Sequence, residues 1–113
     1  MSGVILSQRK LFGLLELDAA GTVLYSVLDD SLDGSLANVA GHNFYSEVAP
    51  FINVEEFHQC LDTFNRGTEQ ALSFVFNCDY ADGAVPVRVV LARIRERKNG
   101  DTKSLLVHIR KAD

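Results

Sequence analysis

The feature that most constrains the fold is an alternation of apolar and polar residues from Leu72 to Tyr80, with Val75 as its exception. A period of two predicts a β-strand with one buried face. Asp82-Gly83 then supplies a strong hairpin signal, and Val85 to Ile94 continues as another strand. The segment therefore predicts a long antiparallel hairpin whose buried side carries Leu72, Phe74, Phe76, Cys78 and Tyr80.

Two further segments also have the pattern of strands. Near the N-terminus, the short apolar runs Leu11 to Leu17 and Thr22 to Val27 flank the turn-forming segment Asp18 to Gly21. Gly21 is the natural residue for a positive φ, so these runs predict a β-hairpin. Near the C-terminus, a turn from Arg97 to Asp101 leads into a last strand from Leu105 to Ile109.

The segment Asn53 to Arg66 predicts an amphipathic helix. Asn53 can cap its N-terminus, and Glu56 three residues later can complete a capping box. Gly67 is expected to end the helix in a left-handed conformation. The apolar residues recur at helical spacing and form one stripe, with Cys60 at its edge: Val54, Phe57, Leu61 and Phe64.

The order of these elements predicts the fold class. Asp29 to Gly41 is rich in Asp, Ser, Gly and Ala, which favours short helical turns between the first two strands and the helix. Strands in runs, with helices segregated between them, indicate an α+β domain with an antiparallel sheet covered by helices on one face. At 113 residues, the chain is expected to form one domain, residues 1–113, with a core from about 12 to 111.

Composition limits the expected partners and the compartment. The net charge of −4 disfavours a phosphate-neutralising surface, so nucleic acid is not an expected partner. Cys60 and Cys78 have no second ligand at zinc spacing and predict free thiols in a reducing compartment. No apolar run has the length of a membrane span, and Met1 to Leu6 is too short for a signal peptide. A cytoplasmic protein without membrane contact is expected.

Four short strings resemble those of PAS domains of the photoactive yellow protein type: Gly41-His42-Asn43-Phe44, Val48-Ala49-Pro50, Glu56-Phe57 and Phe76-x-x-Asp79-Tyr80. The resemblance extends over roughly Phe12 to Lys111. It implies a PAS fold, with a five-stranded antiparallel sheet and helices enclosing a small-molecule pocket on one face. It also implies a bacterial-type signalling role, since such domains sense light, redox state, gases or metabolites and often dimerise.

The sequence departs from that family at the groups that hold the chromophore. In photoactive yellow proteins, the residue after Val-Ala-Pro is the cysteine that carries p-coumarate through a thioester, but here it is Phe51. A phenyl ring has no nucleophile, so no covalent p-coumarate is expected. The phenolate-binding tyrosine of the family aligns with Ser26, and its partner glutamate aligns near Asp30. The resemblance thus implies a retained scaffold without the photochemistry.

Two functional hypotheses follow. In the leading one, the chain is a signalling input domain that binds a small, largely apolar ligand non-covalently and relays its occupancy to an effector protein. The expected pocket wall is Phe44, Val48, Phe51, Phe57, Leu61, Phe74 and Phe76. In the alternative, the chain is a ligand-free interaction or homodimerisation module with a collapsed core, in which Phe51 simply packs. The ligand itself is not identified by the sequence.

Other candidate sites have weaker signals. His58 is a weak haem-ligand candidate, because some PAS domains bind haem through a histidine on this helix, but a half-exposed surface histidine is the favoured explanation. Arg88, Arg93, Arg95 and Arg97 predict a basic stripe along one strand, and His108 is expected to point away from Val107 and Ile109. No catalytic motif of the hydrolase, phosphate-loop, dinucleotide or zinc-protease kind is present, so the chain is not expected to be an enzyme.

Overall fold

A computed structural model describes residues 10–28, 39–95 and 102–112. Its elements are β1 (Gly13–Leu17), β2 (Val23–Leu28), the single helical turn α1 (Phe44–Val48), α2 (Val54–Arg66), β3 (Ala71–Tyr80), β4 (Gly83–Arg95) and β5 (Thr102–Lys111). The predicted α+β class is confirmed. Most of the helical turns predicted between Asp29 and Gly41, and the turn predicted from Arg97 to Asp101, lie outside the described residues.

The five strands form one antiparallel sheet in the order β2-β1-β5-β4-β3. β5 is therefore the central strand, and it joins the N-terminal hairpin to the long β3–β4 hairpin. The chain leaves the sheet at the β2 edge and returns at the β3 edge after α2. The segment between these two edge strands contains α1 and α2, so the crossing places both helices on one face of the sheet.

The turn between β1 and β2 has the predicted geometry. The Asp18 side-chain oxygen Oδ1 accepts hydrogen bonds from the backbone N–H groups of Ala20 and Thr22, each at 2.9 Å. Gly21 has a φ of +89°, and a Cβ atom on it would lie 2.7 Å from the ring of Tyr45. Glycine is thus required here both for the backbone conformation and for the close approach of α1.

The apolar stripe of α2 packs against the sheet as predicted, because Phe57, Leu61 and Phe64 are all buried. Asn53 and Gly67 occupy the predicted cap positions at the two ends of α2, but neither caps the helix in the predicted way. The Asn53 side chain makes no hydrogen bond to the start of the helix, so no capping box forms with Glu56. Gly67 has a φ of −87°, which is not left-handed, and its N–H donates to the carbonyl oxygen of Phe64 at 3.1 Å.

Arg93 takes the place of the expected C-terminal cap. Its side chain is only 5% exposed, and its guanidinium donates to the carbonyl oxygens of Phe64 at 2.6 Å and Glu69 at 3.0 Å. Longer bonds reach the carbonyls of Asn65 and Gly67, at 3.4 and 3.3 Å. The last carbonyls of a helix have no partner within it. A cation there also complements the helix dipole, so Arg93 fastens the end of α2 to β4.

This position of Arg93 corrects the predicted basic stripe. Arg93 points into the core beside the Phe64 ring, with its guanidinium carbon 4.5 Å from the ring centroid, whereas Arg88 is on the opposite side of β4. Side chains alternate along a strand, and residues 88 and 93 differ by an odd number, so they cannot share a face. Arg97 lies outside the described residues.

The sheet has two different faces. The inner face packs against the helices, and its buried residues on the three central strands include Leu15, Leu17, Val87, Val89, Leu91, Leu105, Val107 and Ile109. On the outer face, the side chains of β1, β4 and β5 are mostly half-buried. His108 lies on this outer face, away from Val107 and Ile109, as predicted.

Candidate functional site

The space between α2 and the inner face contains a cluster of five aromatic side chains: Phe44, Phe51, Phe57, Phe76 and Tyr80. We refer to it as the aromatic cluster. The Phe57 ring is at its centre, with centroid distances of 5.2 Å to Phe76, 5.5 Å to Phe51 and 5.7 Å to Phe44. Most of these pairs meet edge to face, the geometry that aromatic quadrupoles favour.

Phe51 occupies the position that the sequence had singled out, and it is 3% exposed. Its ring meets those of Phe57 and Tyr80 in T-shaped contacts, and it also contacts Phe76 at a centroid distance of 6.1 Å. Its neighbour Ile52 is 72% exposed, so the loop turns one apolar side chain inward and the next outward. Phe51 is therefore packed by side chains from both α2 and β3.

Hydrogen bonds to β3 fix the loop that carries Phe51. The backbone N–H of Ile52 donates to the Asp79 carbonyl at 2.7 Å. The Asn53 side chain donates to the carbonyl of Asn77 at 2.8 Å and accepts from the N–H of Asp79 at 2.9 Å. Because β3 is an edge strand, its outer backbone groups are free to make these bonds. Asn53 thus serves the loop rather than the helix.

A second asparagine fixes α1 and with it the Phe44 ring. The Asn43 Oδ1 atom accepts from the N–H groups of Tyr45 and Ser46 at 3.0 and 3.1 Å, and its Nδ2 donates to the Ala20 carbonyl at 3.0 Å. Asparagine is a favoured residue at this position because its side chain satisfies the free N–H groups of a helix start. Phe44 is consequently held fully buried against Phe57.

The exposed residues around α1 include a hydrogen-bonded pair of side chains, His42 and Glu47. The Nδ1 atom of His42 lies 2.9 Å from Oε1 of Glu47, and the N–H of Asn43 donates to Oε2 of Glu47 at 3.2 Å. These hydrogen bonds, first that of His42 and then that of Asn43, lower the pKa of the Glu47 carboxyl. Both side chains of the pair are more than half exposed, so this pair contributes little to stability.

Tyr80 closes the cluster at the hairpin end of β3. Its hydroxyl oxygen accepts a hydrogen bond from the N–H of Leu11 at 3.1 Å, and the Lys10 amine lies 4.4 Å from its ring centroid. Lys10 also bonds the carboxylate of Asp82 at 2.9 Å. Burial raises the pKa of the Tyr80 hydroxyl to about 12. Tyr80 therefore stays a neutral phenol and joins the chain before β1 to the β3–β4 turn.

The structure brings the residues predicted for the pocket wall to one region. Phe44, Phe51, Phe57 and Leu61 are buried, and Val48, Phe74 and Phe76 are half-buried against the same core. Within this set, the four Phe side chains at 44, 51, 57 and 76 are in ring-to-ring contact. That these residues bind a ligand stays a prediction.

His58 is at the surface of α2 and not in the core. Its ring stacks on that of Tyr45, with a centroid distance of 3.8 Å and an angle of 13° between the planes. The side chain is exposed. Burial, and to a lesser extent the nearby Asp62 carboxylate, raises the pKa of the Tyr45 hydroxyl to about 12. A haem held between α2 and the sheet would require His58 to leave this stack and turn inward.

Ser26, aligned with the phenolate-binding tyrosine, has a different task. It pairs with Leu15 and so lies on the inner face, where its hydroxyl accepts a hydrogen bond from the N–H of Val39 at 3.2 Å. This bond ties the chain beyond β2 to the sheet and leaves no phenol at this position. Asp30, aligned with the glutamate, is outside the described residues.

The two cysteines are free thiols, as predicted. Cys78 is buried on the inner face, where burial raises the pKa of its thiol to about 12. The Cys60 thiol is half-buried, and burial followed by the charge of Glu56 also raises its pKa. Because the thiolate is the reactive form, neither residue is an activated nucleophile.

The described residues contain no group of three or more His, Cys, Asp or Glu side chains suited to hold a metal ion. A surface depression of about 110 Å³ lies away from the aromatic cluster, between the β1–β2 turn, the end of α2 and the start of β5. It is lined by Leu17, Asp18, Ala19, Asn65, Lys103, Ser104 and Leu105.

The architecture matches several solved structures at low sequence identity. The photoactive yellow protein domain of the sensor histidine kinase Ppr from Rhodospirillum centenum is 20% identical, with a TM-score of 0.61 over 98% of this chain and 100% of that chain. The PAS-B domain of Drosophila melanogaster Cycle is 10% identical, with a TM-score of 0.59 over 88% and 99% of the two chains. The chain has the PAS fold.

A third PAS-fold neighbour is part of a larger protein. Vibrio cholerae VqmA is 13% identical, with a TM-score of 0.62, and the match covers all of this chain but only 52% of VqmA. No family model matches the sequence, and no curated protein does. The likeness therefore resides in the three-dimensional arrangement of the strands and helices. Along the described ranges of this PAS fold, the helices fall short of the length and apolar character needed to cross a membrane.

Three residues that shape the site were missed in the sequence. Arg93, Asn53 and Tyr80 each make contacts with segments more than 20 residues away. For Arg93 a signal was present, since its odd number aligns it with the inward-facing Val89 and Leu91. For Asn53 the local cap pattern competed with a long-range bond. Nothing in the sequence indicates that the Tyr80 hydroxyl meets the backbone of Leu11.

Proposed function

We propose that this chain is a signalling PAS domain that acts through protein association. In this proposal, the space between α2 and the sheet is filled by the aromatic cluster and holds no ligand. The observation that carries this proposal is the packing of Phe51 against Phe57, Phe76 and Tyr80. The proposed role is non-catalytic and cytoplasmic, with neither nucleic acid nor membrane as a partner. It corresponds to the ligand-free alternative weighed from the sequence.

The contacts of Phe51 favour a filled core over an open pocket. A ring that lines an open pocket has protein on one side and ligand or water on the other. Phe51 has aromatic neighbours from both α2 and β3 and is 3% exposed. Burying such a ring stabilises the folded state by about 1.5–3 kcal/mol, so its packing has a sufficient structural purpose without a ligand.

The side chains at the positions aligned with chromophore-holding groups make other contacts in this chain. Phe51 has no nucleophile for a thioester, and the Ser26 hydroxyl accepts a hydrogen bond from the backbone of Val39. Tyr80 is a buried phenol, but its oxygen accepts from the Leu11 N–H. These observations support a domain without the covalent chromophore.

Two structural neighbours support a signalling role. One is a domain of a sensor histidine kinase, and the other, VqmA, is described as a dimer that binds target DNA. Those properties belong to the named proteins, and fold alone does not transfer function. They support the signalling part of the role proposed here.

A second candidate function is supported by an apolar strip at the edge of the inner face. Leu72 is 41% exposed, and Phe74 and Phe76 beside it are only half-buried. They form one side of β3, the edge strand next to α2. A small apolar ligand entering between β3 and α2 would contact this strip first. The Cycle PAS-B neighbour was solved with bound ethylene glycol.

One experiment separates the two functions. The protein is purified from its source organism and studied by native mass spectrometry and absorption spectroscopy. It is then unfolded in denaturant, dialysed, refolded and measured again. A filled core predicts the bare mass, no visible absorption and the same melting temperature before and after refolding.

A bound mass of a few hundred daltons that is lost on refolding, with a fall in melting temperature, would replace the proposal by the ligand sensor. An intense band near the blue edge of the visible spectrum would indicate haem and would make His58 the first residue to substitute. In either case Phe51 would be a wall residue of an occupied site.

A further inference from the structure

The two edge strands of the sheet are covered to different extents. On β2, the N–H of Val23 donates to the carbonyl of His42 at 2.9 Å, and its carbonyl accepts from the N–H of Gly41 at 2.7 Å. The register of β1 against β2 also shifts between Glu16 and Leu17. β3, in contrast, pairs with β4 over its whole length without a shift, so it presents the longer and more regular edge.

Alternate residues of β3 direct their backbone groups out of the sheet. In an antiparallel ladder, the N–H and C=O groups of one residue point to the same side of the strand. Both backbone groups of Asp79 are bonded by the loop between α1 and α2, on the side away from β4, and so is the carbonyl of Asn77. By the same alternation, the backbone N–H and C=O groups of Ser73 and Val75 also point away from β4.

These outward backbone groups are open. Among the described residues, none bonds the outer backbone groups of Ser73 or Val75, whereas the C-terminal part of β3 is closed by the loop before α2. The segment from Ala71 to Asn77 contains no proline and no charged residue, and Val75 and Leu72 are 54% and 41% exposed. Proteins usually protect an edge strand with such residues, because an open edge is a template for another extended chain.

The side of this edge that faces α2 is apolar. It carries the strip of Leu72, Phe74 and Phe76, in which both Phe side chains are only half-buried. A strand added at the edge places every second side chain next to this strip. Cross-strand apolar pairs stabilise a sheet, so the strip favours a partner with apolar residues at alternate positions.

The other side of the edge carries a positive charge. Arg88 pairs with Val75, and its guanidinium donates to the Ser73 hydroxyl at 3.4 Å, so the charge lies over β3. Arg88 also pairs with Arg110 of β5, and neither has a carboxylate partner among the described residues. Like charges directly opposite each other destabilise a sheet. A carboxylate on an added strand, placed beside Ser73, offsets this repulsion.

We propose that an extended segment of a partner protein adds to the sheet along the open part of β3, antiparallel to it. Its backbone bonds Ser73 and Val75, its inner side chains are apolar, and an Asp or Glu lies opposite Ser73 beside Arg88. In strand addition, the backbone bonds supply affinity and the alternate side chains supply specificity. This inference rests on the proposed function, because it names the surface and the chemical class of the associated partner.

The test titrates the isotope-labelled full chain with a synthetic peptide, acetyl-Ser-Val-Thr-Val-Glu-Val-Ser-amide, followed by nuclear magnetic resonance. In the proposed register, the Glu of the peptide lies opposite Ser73, its Thr opposite Val75, and its Val residues beside the apolar strip. We expect saturable shifts confined to the edge and slower amide exchange at Ser73 and Val75. The amides of Phe74 and Phe76 already belong to the β3–β4 ladder and should be less affected.

Two N-methylated peptides distinguish strand addition from any other contact. Methylation of the Glu nitrogen removes the N–H that donates to the Ser73 carbonyl, whereas methylation of the preceding Val changes an N–H that points away from β3. We expect the first peptide to bind at least about tenfold more weakly than the parent and the second to lose less than about threefold. A contact made by side chains alone does not produce this difference.

Variants of the protein test the charge and the edge separately. Arg88→Glu should weaken the Glu peptide at least about fivefold and should favour a peptide with Lys in place of Glu. Lys103→Glu makes the same change of net charge at an exposed site on β5, about 14 Å from an added strand, and should change the affinity less than about twofold. Val75→Pro removes an outward N–H that the sheet does not use, so it should abolish binding while circular dichroism melts stay cooperative.

Three results would overturn the inference: no saturable shift up to about 2 mM peptide, shifts centred away from residues 71–77, or equal binding of the two methylated peptides. Slow exchange at Ser73 and Val75 in the free protein would also overturn it. The edge would then belong to a second copy if that protection depends on concentration, and to another segment of the same chain if it does not. The proposed function has its own test in the mass and melting temperature before and after refolding, so the two ideas fail separately.

Discussion

Replacement of Phe51 by alanine is the most direct test of the filled core. The ring is 3% exposed and lies 5.5 Å from Phe57, 6.1 Å from Phe76 and 6.3 Å from Tyr80. Truncating a buried Phe to Ala removes its transfer free energy and leaves a cavity, at a total cost of about 3–5 kcal/mol. Phe76 is half-buried and can shift toward the gap. We therefore expect Phe51→Ala to lower the free energy of unfolding by about 3–4 kcal/mol, in the lower part of that range.

The measurement is equilibrium unfolding in urea, followed by far-ultraviolet circular dichroism and by tyrosine fluorescence, since the chain has no tryptophan. The midpoint should fall while the slope of free energy against urea is unchanged, because the substitution does not alter the surface exposed on unfolding. Ile52→Ala, one residue away at a 72% exposed site, is the matched control and should stay within about 0.5 kcal/mol of the native protein.

A loss below about 1.5 kcal/mol for Phe51→Ala would refute the reasoning, because it would mean that the ring borders space already open to water or ligand. If the alanine variant does not fold, Phe51→Leu is measured in its place, and its free energy of unfolding should be about 1–1.5 kcal/mol below that of the native protein. A further check is benzene, which should raise the melting temperature of Phe51→Ala through its new cavity and leave the native protein unchanged.

Three other substitutions or conditions test the remaining contacts. Arg93→Leu removes the donor for the carbonyls at the end of α2. It should lower the free energy of unfolding in urea by about 2–4 kcal/mol and speed amide exchange in the last turn of α2. Arg93→Lys should restore only part of that lost stability. Asn53→Ala removes two bonds to β3 and should cost about 1–3 kcal/mol, whereas Asn53→Asp, which keeps the acceptor for the Asp79 N–H, should cost less. The Cys78 thiol ionises from an ordinary pKa of 9.0 in the unfolded chain but only at about 12 when folded, so the free energy of unfolding should fall as pH rises above 9, and Cys78→Ala should flatten that fall in urea titrations at pH 8 to 11.

The fold could be predicted because its signals are local. The alternation in β3 and the helical stripe of α2 each arise from contacts that a residue makes with one surface, so periodicity alone reveals them. Gly21 is a similar case, since its positive φ follows from the turn between two apolar runs. The order of these elements then permits few arrangements, and the PAS fold is one of them.

The ends of α2 could not be predicted for the opposite reason. The Asn53 cap and the left-handed Gly67 were inferred from local preference, but both helix ends are held by the sheet instead. Asn53 bonds β3, and Arg93 satisfies the carbonyls that Gly67 was expected to serve. Local capping energies of about 1 kcal/mol are easily exceeded by a buried, charged side chain with several acceptors.

In the aromatic cluster, too, some features follow from local sequence signals and others only from long-range packing. The apolar side chains that meet between α2 and the sheet could be identified from the faces on which the sequence pattern places them. Whether those rings enclose a space or fill it depends on centroid distances of a few ångströms, which no pattern of residue types encodes. The preference proposed here for an interaction module over a ligand sensor therefore rests on the packing and not on the sequence.

A filled aromatic cluster changes where a PAS domain can receive its signal. In a ligand sensor, the free energy that shifts α2 against the sheet comes from differential binding inside the pocket. Here Arg93 and Asn53 fasten α2 and its leading loop to opposite ends of the β3–β4 hairpin, so the helical layer and the sheet are coupled without a ligand. Under the proposed function, input therefore has to reach α2 through contacts on the surface of the protein and not through a ligand inside it.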